Sequence, residues 1–582
     1  MSFDAVLSRI AKGESVSSEE LLPYLCLERR EQRATVNRLL AEAYWKSGRE
    51  EHRGHAHVSV RRAWQLSRFS PDLLPLYTEI HAALDDVQGI REAYKRVGMA
   101  SAARGDVSGA LGYFDLWQYA NHTFKKLDSY AYDFDILECV DRLAQPHRLS
   151  PKPRADFRAD GKLRVAYLVK GVTELGSVLV KMHLLYARLH DRSRVEPVFF
   201  VPEPEREVLA SEAGREHVRL FESLGYKLVM APNTGVRKDR LLAVARLIQE
   251  ARPDLLVTGA ALADFEHCFI TSLRPAPFVM GFVLGPPEQF APLTLDWGIA
   301  WSKHPLIDCP VSCALMDMEL EMPERGAIVP YERRELGIPD DAVILGTAGR
   351  HVKFQDPGFW QAVIGMLAEH PRLYYLAMGV EESQVPFLPT MLTPEVRPRV
   401  RFLGWRGDDY LRALCLADIY LDTFPSGGGT VLNDAMSLAI PVVAFQNNYM
   451  KVFNQTDWSP ADGFNMPEIV VPRGDFEQVR RVVSRLVGDR EHRVELGRRC
   501  RERLRDTRAN PERAVRRCEE LYARVLGQEL SGGQRPDPRE AEIEGLASRL
   551  ARPRNAPPWV AWTAHQLKRA LRFGERVLDR VA

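Results

Sequence analysis

The feature that most constrains this chain is an alternation that occurs twice. Between Lys162 and Trp301 the short apolar runs "KLRVAYLVKG", "VEPVFFV", "YKLVMA", "PDLLVTG", "APFVMGFVLG" and "LDWGIAW" follow one another, mostly with helical stretches between them. From Ala342 to Pro472 a second series runs through "AVILGTAG", "RLYYLAMG", "RVRFLGW", "DIYLDTF", "PVVAF" and "EIVVP". A strand that is apolar along its whole length must be covered on both faces, and helical crossovers supply that cover in a parallel sheet. Two doubly wound sheets in tandem are therefore expected, with a cleft between them and ligands at the carboxyl ends of the strands. With 582 residues the chain is too long for one core, so further domains are expected.

The flanks read differently. Residues 1–150 carry apolar side chains at helical spacing and no alternating strand pattern. Within them "YKRVGMASAARGDVSGALGYF" spaces Tyr94, Val97, Gly98, Gly105, Ala110 and Phe114 like a tetratricopeptide hairpin, and "LLAEAYWKSGR" is a looser version. A proline-rich linker, "SPKPRADFRADG", separates this block from a first Rossmann-like domain at 160–325. A second follows at 326–530, and 531–582 is an amphipathic tail with Trp559, Trp562, Leu567, Leu571 and Leu578 near one side. That tail has the makings of a membrane-surface helix; packing on the protein, or a crossover to the first Rossmann half, is the commoner fate of such a segment.

Charge and cysteines exclude several classes. The formal net charge of +1 gives no global field for nucleic acid or anionic lipid. The eight cysteines include no C-x-x-C pair, and the spaced pair Cys309 and Cys313 has no second ligand pair near it, so no structural zinc is expected. The first residues, "MSFDAVLSRIAKGESVSSEE", are polar and amphipathic, and no apolar run approaches a membrane span; a cytoplasmic protein is expected. Neither series has G-x-G-x-x-G after its first strand, nor a G-K-[ST] loop, which argues against a dinucleotide oxidoreductase and an NTPase.

One turn departs from ordinary strand–helix chemistry. In "DTFPSGGGTVLND", Asp422 to Asp434, three consecutive glycines stand where strand gives way to helix. A tight turn needs one or two. Three suggest that something approaches the backbone closely, and a helix N-terminus with unpaired N–H groups favours a phosphate.

Three segments in order then resemble the O-GlcNAc transferase family and its bacterial relatives, among them the adhesin N-glucosyltransferases. "LRPAPFVMGFVLGPPEQFAPLTLDW" is similar to the acceptor half, "RHVKFQDP" to the lysine-bearing loop of the donor half, and "LADIYLDTFPSGGGTVLND" to the "LAD–LDT–G–T–D" segment. The resemblance covers about residues 160–520 and implies a GT-B fold: two Rossmann-like domains facing a cleft, behind an all-α, tetratricopeptide-like block. It implies an inverting, metal-independent protein glycosyltransferase. Such an enzyme moves one hexose or N-acetylhexosamine from a nucleotide sugar, UDP-GlcNAc or UDP-Glc, to Ser, Thr or Asn of a protein held by the helical block. No metal and no other cofactor are expected. A GT-B transferase for lipid or small-molecule glycans, and a scaffold with a decayed transferase domain, are the rival readings.

The resemblance assigns residues. Lys353 would meet the charge that grows on the departing diphosphate, and Arg350 stands three residues earlier, able to add a bidentate grip or to pair with a surface acid. Gly427, Gly428 and Gly429 would admit the diphosphate, with Thr430 donating to it. Asp434, one turn further, would take a ribose hydroxyl, or serve merely as a helix first-turn acid. Tyr410 falls where the family stacks a histidine on the base, and Trp405 and Arg406 would touch its edge through their main chain. The acceptor side departs from the pattern. In "VKGVTELGSVLVK" Leu175 falls near the family's histidine and Glu174 is the only acid. Glu174, Asp264 and His267 are the general-base candidates, although helix-surface duty is commoner for such side chains. The D-x-E at Asp317–Glu319 belongs to a different transferase fold and reads as surface.

Overall fold

A computed structural model describes residues 2–84, 86–124, 133–151, 162–258, 264–283, 295–300, 313–315, 322–424, 427, 429–446, 466–508 and 510–526. The expectations for the linker, "GPPEQFAPL", Cys309, Asp317–Glu319, Gly428 and the tail 531–582 fall outside these residues. The chain divides into two compact units, one of residues 1–129, 133–146 and 263–269, the other of 130–132, 147–262 and 270–582.

The smaller unit is helical where described. Arg30–Lys46 and Glu50–Leu66 form one hairpin, Val87–Ala103 and Val107–Phe124 another. The second hairpin turns at Gly105, whose φ of +76° is a conformation that glycine adopts without a Cβ penalty. Its helices close tightly because Gly98 has no side chain: a Cβ there would lie 2.6 Å from the Phe114 ring. The segment 263–269, expected with the first Rossmann half, counts with this unit. The Phe265 ring stands 5.6 Å from that of Phe114, and the Phe265 N–H donates to Asp115 Oδ1 at 3.2 Å.

The larger unit holds both sheets, and every strand in each is parallel to its neighbours. The first comprises β1 (Leu163–Leu168), β2 (Val195–Pro204), β3 (Leu228–Ala231), β4 (Leu255–Thr258), β5 (Phe278–Val283), β6 (Trp297–Ala300) and β7 (Cys313–Leu315) in the order β3-β2-β1-β4-β5-β6-β7. The second comprises β8 (Val343–Ala348), β9 (Leu373–Met378), β10 (Val400–Phe402), β11 (Ile419–Leu421), β12 (Val442–Phe445) and β13 (Val470–Val471) in the order β10-β9-β8-β11-β12-β13. Burial explains the apolar texture: Leu163, Val165, Ala166, Tyr167 and Leu168 of β1 are all fully buried. Strand order reverses at the β1/β4 boundary in one sheet and at β8/β11 in the other. There the succeeding loops part to opposite faces and leave a crevice.

The chain returns to the first half near its described end. Helix Pro511–Val525 places Val515, Cys518, Leu521 and Tyr522 in the core of the first sheet. Polar contacts fix its register. The Tyr167 hydroxyl lies 2.7 Å from His190 Nε2 and donates to the Tyr522 hydroxyl at 3.2 Å, and Glu519 Oε1 accepts from the Asp191 N–H at 2.9 Å. Sequence periodicity grouped this helix with the second half, up to residue 530. Amphipathicity marks which face is buried, but not against what. Among the described residues no helix is long and apolar enough to cross a membrane.

Candidate functional site

The carboxyl ends of β8, β9, β10 and β11 converge on one cavity of about 880 Å³ within the larger unit. After β8 the chain makes a single helical turn, His351–Phe354, held from below. Phe354 is fully buried, and its carbonyl accepts from Trp360 Nε1 at 2.6 Å. Asp356 then caps helix Pro357–Glu369 by accepting from the Phe359 N–H at 2.8 Å. With its backbone so anchored, the loop presents half-buried Lys353 and exposed Arg350 to the cavity.

Across the strand-order reversal, β11 leads into the glycine turn. Asp422 and Thr423 are fully buried, and Phe424 packs with Phe445 and Phe476, each at a ring separation of 5.0 Å. The two loops meet in one hydrogen bond: Lys353 Nζ donates to the Gly427 carbonyl at 2.6 Å. Gly429 is the N-cap of helix Thr430–Ser437 and supplies no side-chain cap. Its φ is −85°, so the turn does not require glycine for a left-handed conformation, and among the described residues beyond its chain neighbours a Cβ there would meet nothing within 4 Å.

Charge matches that helix N-terminus. The lining carries five cationic side chains, Lys181, Arg188, Arg350, Lys353 and Arg406, against two carboxylates, Glu324 and Asp434. Burial pulls the Lys353 pKa from 10.5 down to about 8, while Asp422 pulls it up and Arg350 pushes it further down. An ammonium held at this cost gains most when an anion arrives beside it. A concave, cationic site at a helix N-terminus and a topological reversal can bind a phosphorylated ligand and stabilise negative charge that develops on it.

Eight of the residues assigned from sequence to nucleotide-sugar binding line this cavity: Arg350, Lys353, Trp405, Arg406, Tyr410, Gly429, Thr430 and Asp434. Gly427 joins through its carbonyl. Tyr410 and Asp434 are bonded to each other, the phenol donating to Asp434 Oδ2. Trp405 is 55% exposed and offers an open aromatic face, and the Arg406 guanidinium turns back to donate to the Leu403 carbonyl at 2.8 Å.

None of the general-base candidates is among the described residues that line this cavity. Asp264 and His267 belong to the smaller unit. There Asp264 Oδ1 accepts from the Glu266 and His267 N–H groups at the start of helix Phe265–Ser272, and His267 is 2% exposed. Glu174 is exposed in the loop after β1, where its N–H donates to the Gly171 carbonyl, and it does not line the cavity. Leu175, in the same loop, stands against the second half: a Cβ on Gly407 would lie 3.2 Å from Leu175 Cβ.

Two groups of lining residues escaped the sequence reading. Gly379, after β9, has a φ of +89°, and a Cβ on it would come within 2.4 Å of the Gly349 carbonyl oxygen. The signal was present, since "TAG", "AMG" and "FLG" each end a run in glycine. The facing wall comes from helix Val178–Leu189, with Lys181, Leu184, Leu185 and Arg188, and from Leu220 and Leu224. Lys181 and Arg188 lie seven residues apart, two helical turns, and so share a face.

No family model and no curated protein matches the chain. Solved structures do. A mutant form of the Thermobaculum terrenum O-GlcNAc transferase is similar at 16% identity and a TM-score of 0.53, over 95% of this chain and 100% of that one. Lower scores are found with the S. aureus MnaA–UDP co-structure, at 15% identity, TM-score 0.42 and coverage of 64% and 100%. The lipopolysaccharide outer core galactosyltransferase WaaB in its apo form gives 12% identity, TM-score 0.43 and coverage of 62% and 99%. With its two parallel sheets and preceding helical block, the chain has the GT-B fold.

Proposed function

We propose that the protein is an inverting glycosyltransferase that moves one hexose or N-acetylhexosamine from a UDP-sugar to Ser, Thr or Asn of a protein. The observation that carries this reading is the meeting of Lys353, Gly427 and the uncapped N-terminus of helix Thr430–Ser437 in one cationic cavity. In such a reaction the anomeric C–O bond to the diphosphate breaks as the acceptor attacks from the opposite face. Negative charge grows on the leaving oxygen, and the Lys353 ammonium and the helix N–H groups are positioned to answer it without a metal ion. Asp434, already holding the Tyr410 phenol, is suited to a ribose hydroxyl rather than to phosphate, which it would repel. The helical unit, with its paired hairpins, is suited to holding the acceptor chain.

Among the described residues of the lining, Glu324 is the carboxylate that is not engaged with Tyr410, and it is the acid we assign to take the acceptor's proton. A second reading, transfer to a lipid or small-molecule glycan, draws support from the apolar wall of Val178, Leu184, Leu185, Leu220 and Leu224. Incubation with UDP-GlcNAc or UDP-Glc and co-purified proteins, read by intact mass, tests the first reading: a protein should gain one sugar. Release of UDP that depends on a glycolipid and adds no mass to any protein would instead establish the second.

A further inference from the structure

The smaller unit contains a cluster that donor chemistry does not use. His57 on helix Glu50–Leu66, His81 on helix Leu74–Ala83 and Asp86, the N-cap of helix Val87–Ala103, bring three potential ligand atoms within 4.8 Å of one another. His81 is 1% exposed, and its Nδ1 lies 2.8 Å from Asp86 Oδ2. Its other nitrogen, Nε2, is buried without a hydrogen-bond partner, and so is Nε2 of His57. Two buried imidazole nitrogens without a partner among the described residues are an expense that a fold rarely carries for nothing.

The surroundings hold the cluster in shape. Tyr77 stacks on the His81 ring at 3.9 Å and 18°, and the His57 ring meets it nearly edge-on at 4.6 Å. Position 89 is glycine inside a helix. A Cβ there would lie 2.5 Å from His81 Nδ1 and 2.6 Å from Asp86 Oδ2, so glycine preserves room for the pair while its N–H donates to Asp86 Oδ1 at 2.9 Å. With its proton on Nε2, His81 turns the Nδ1 lone pair toward Asp86 Oδ2, and a cation shared by these two acceptors accounts for their 2.8 Å approach.

We propose that His57, His81 and Asp86 form a site for a zinc-class divalent cation that ties three successive helices of this unit together. Imidazole nitrogen and carboxylate oxygen suit such an ion, whose bonds of about 2.0–2.2 Å need donors roughly 3–3.6 Å apart. The three donors already lie within 4.8 Å of one another, so a small inward adjustment meets that demand. His57 is only half-buried, which leaves an entry path and room for water as a further ligand. Arg61, one turn beyond His57, opposes positive charge here, and the Asp86 carboxylate offsets it.

The test uses the full chain, stripped with EDTA, dialysed free of chelator and titrated with Zn²⁺ by calorimetry, with Co²⁺ as a spectroscopic probe and melting curves alongside. The expected result is binding of about one equivalent, tetrahedral Co²⁺ absorption and a rise in melting temperature with Zn²⁺. His57→Ala, at a half-exposed position that tolerates truncation, should weaken binding by about a hundredfold and abolish that rise. His55→Ala, an exposed neighbour on the same helix, should change neither. No Zn²⁺ binding by the parent chain, or undiminished binding by a folded His57→Ala protein, overturns the proposal.

Discussion

The two sheets share a winding and differ in the loops that leave their central strands. After β8 comes an anchored turn that carries Lys353, and after β11 a glycine turn into an uncapped helix. After β1 comes a loop with exposed Glu174 and Leu175, and its half contributes to the cavity chiefly through helix faces. Topology fixes where a ligand can bind; it does not decide which half does chemistry. Here Lys353 and the glycine turn, to which the proposed reaction assigns charge stabilisation, sit in the second half, and the first supplies a wall that carries Lys181 and Arg188.

Lys353→Ala should break this asymmetry most. Loss of one preorganised donor to a developing charge lowers kcat by about 10²–10³ while nucleotide-sugar affinity changes far less. Near-normal turnover in steady-state kinetics would remove Lys353 from the reaction. The same lysine should set a pH limit. The protonated form is the useful one, so kcat/KM should fall as pH rises through about 8, the value to which burial lowers its pKa. The corresponding limb in kcat should lie higher, because a bound diphosphate favours the ammonium. A flat kcat/KM profile from pH 7 to about 9.5 would contradict this.

A lowered lysine pKa also bears on folding. Between pH 8 and 10.5 the unfolded chain holds the Lys353 proton and the folded chain does not, so the destabilisation is full below 8 and lifted above 10.5. Lys353→Met should therefore melt higher than the parent at pH 7, by a margin that shrinks toward pH 10.5. An equal margin at both pH values would show that the buried charge is not its source.

Smaller effects sharpen the comparison. Tyr410→Phe keeps the ring and removes the donor to Asp434, so it should shift nucleotide-sugar affinity by about 1 kcal/mol, roughly fivefold. Glu174→Gln, in the loop of the other half, should stay within about twofold in kcat/KM, as an exposed side chain outside the cavity. A hundredfold loss at Glu174 would move the chemistry to the first half.

The sheets were legible because strands buried on both faces leave unbroken apolar runs. β7 was not, since Cys313–Leu315 is only three residues long and abuts the acidic run "MDMELE". That Lys353, Gly429 and Asp434 share one cavity was legible because residues at the carboxyl ends of neighbouring strands are marked by local sequence. The wall of Lys181, Leu185 and Arg188 was not, because a helix face becomes a cavity lining only through tertiary packing. Asp264 and His267 show the converse. Their position after an apolar run suggested a cleft, but the carboxylate serves the start of its own helix and the imidazole is buried. The crossover of Pro511–Val525 depends on Tyr522 and Glu519 finding Tyr167 and Asp191 some 300 residues away, and no local pattern specifies such a partner.

The central claim is that the glycine turn of the second half exists to admit a diphosphate. Calorimetric titration of UDP into Gly429→Val, beside a melting curve, tests it directly. Because Gly429 has a negative φ and no described residue beyond its chain neighbours lies within 4 Å of where a Cβ would stand, the valine should fill the cavity and not strain the fold. The expected result is loss of UDP binding with an almost unchanged melting temperature. Gly379→Ala serves as the contrast and should melt lower, by a destabilisation of about 1–3 kcal/mol, because its φ of +89° and the nearby Gly349 carbonyl both exclude a Cβ. A Gly429→Val protein that melts markedly lower and still binds UDP would contradict the account.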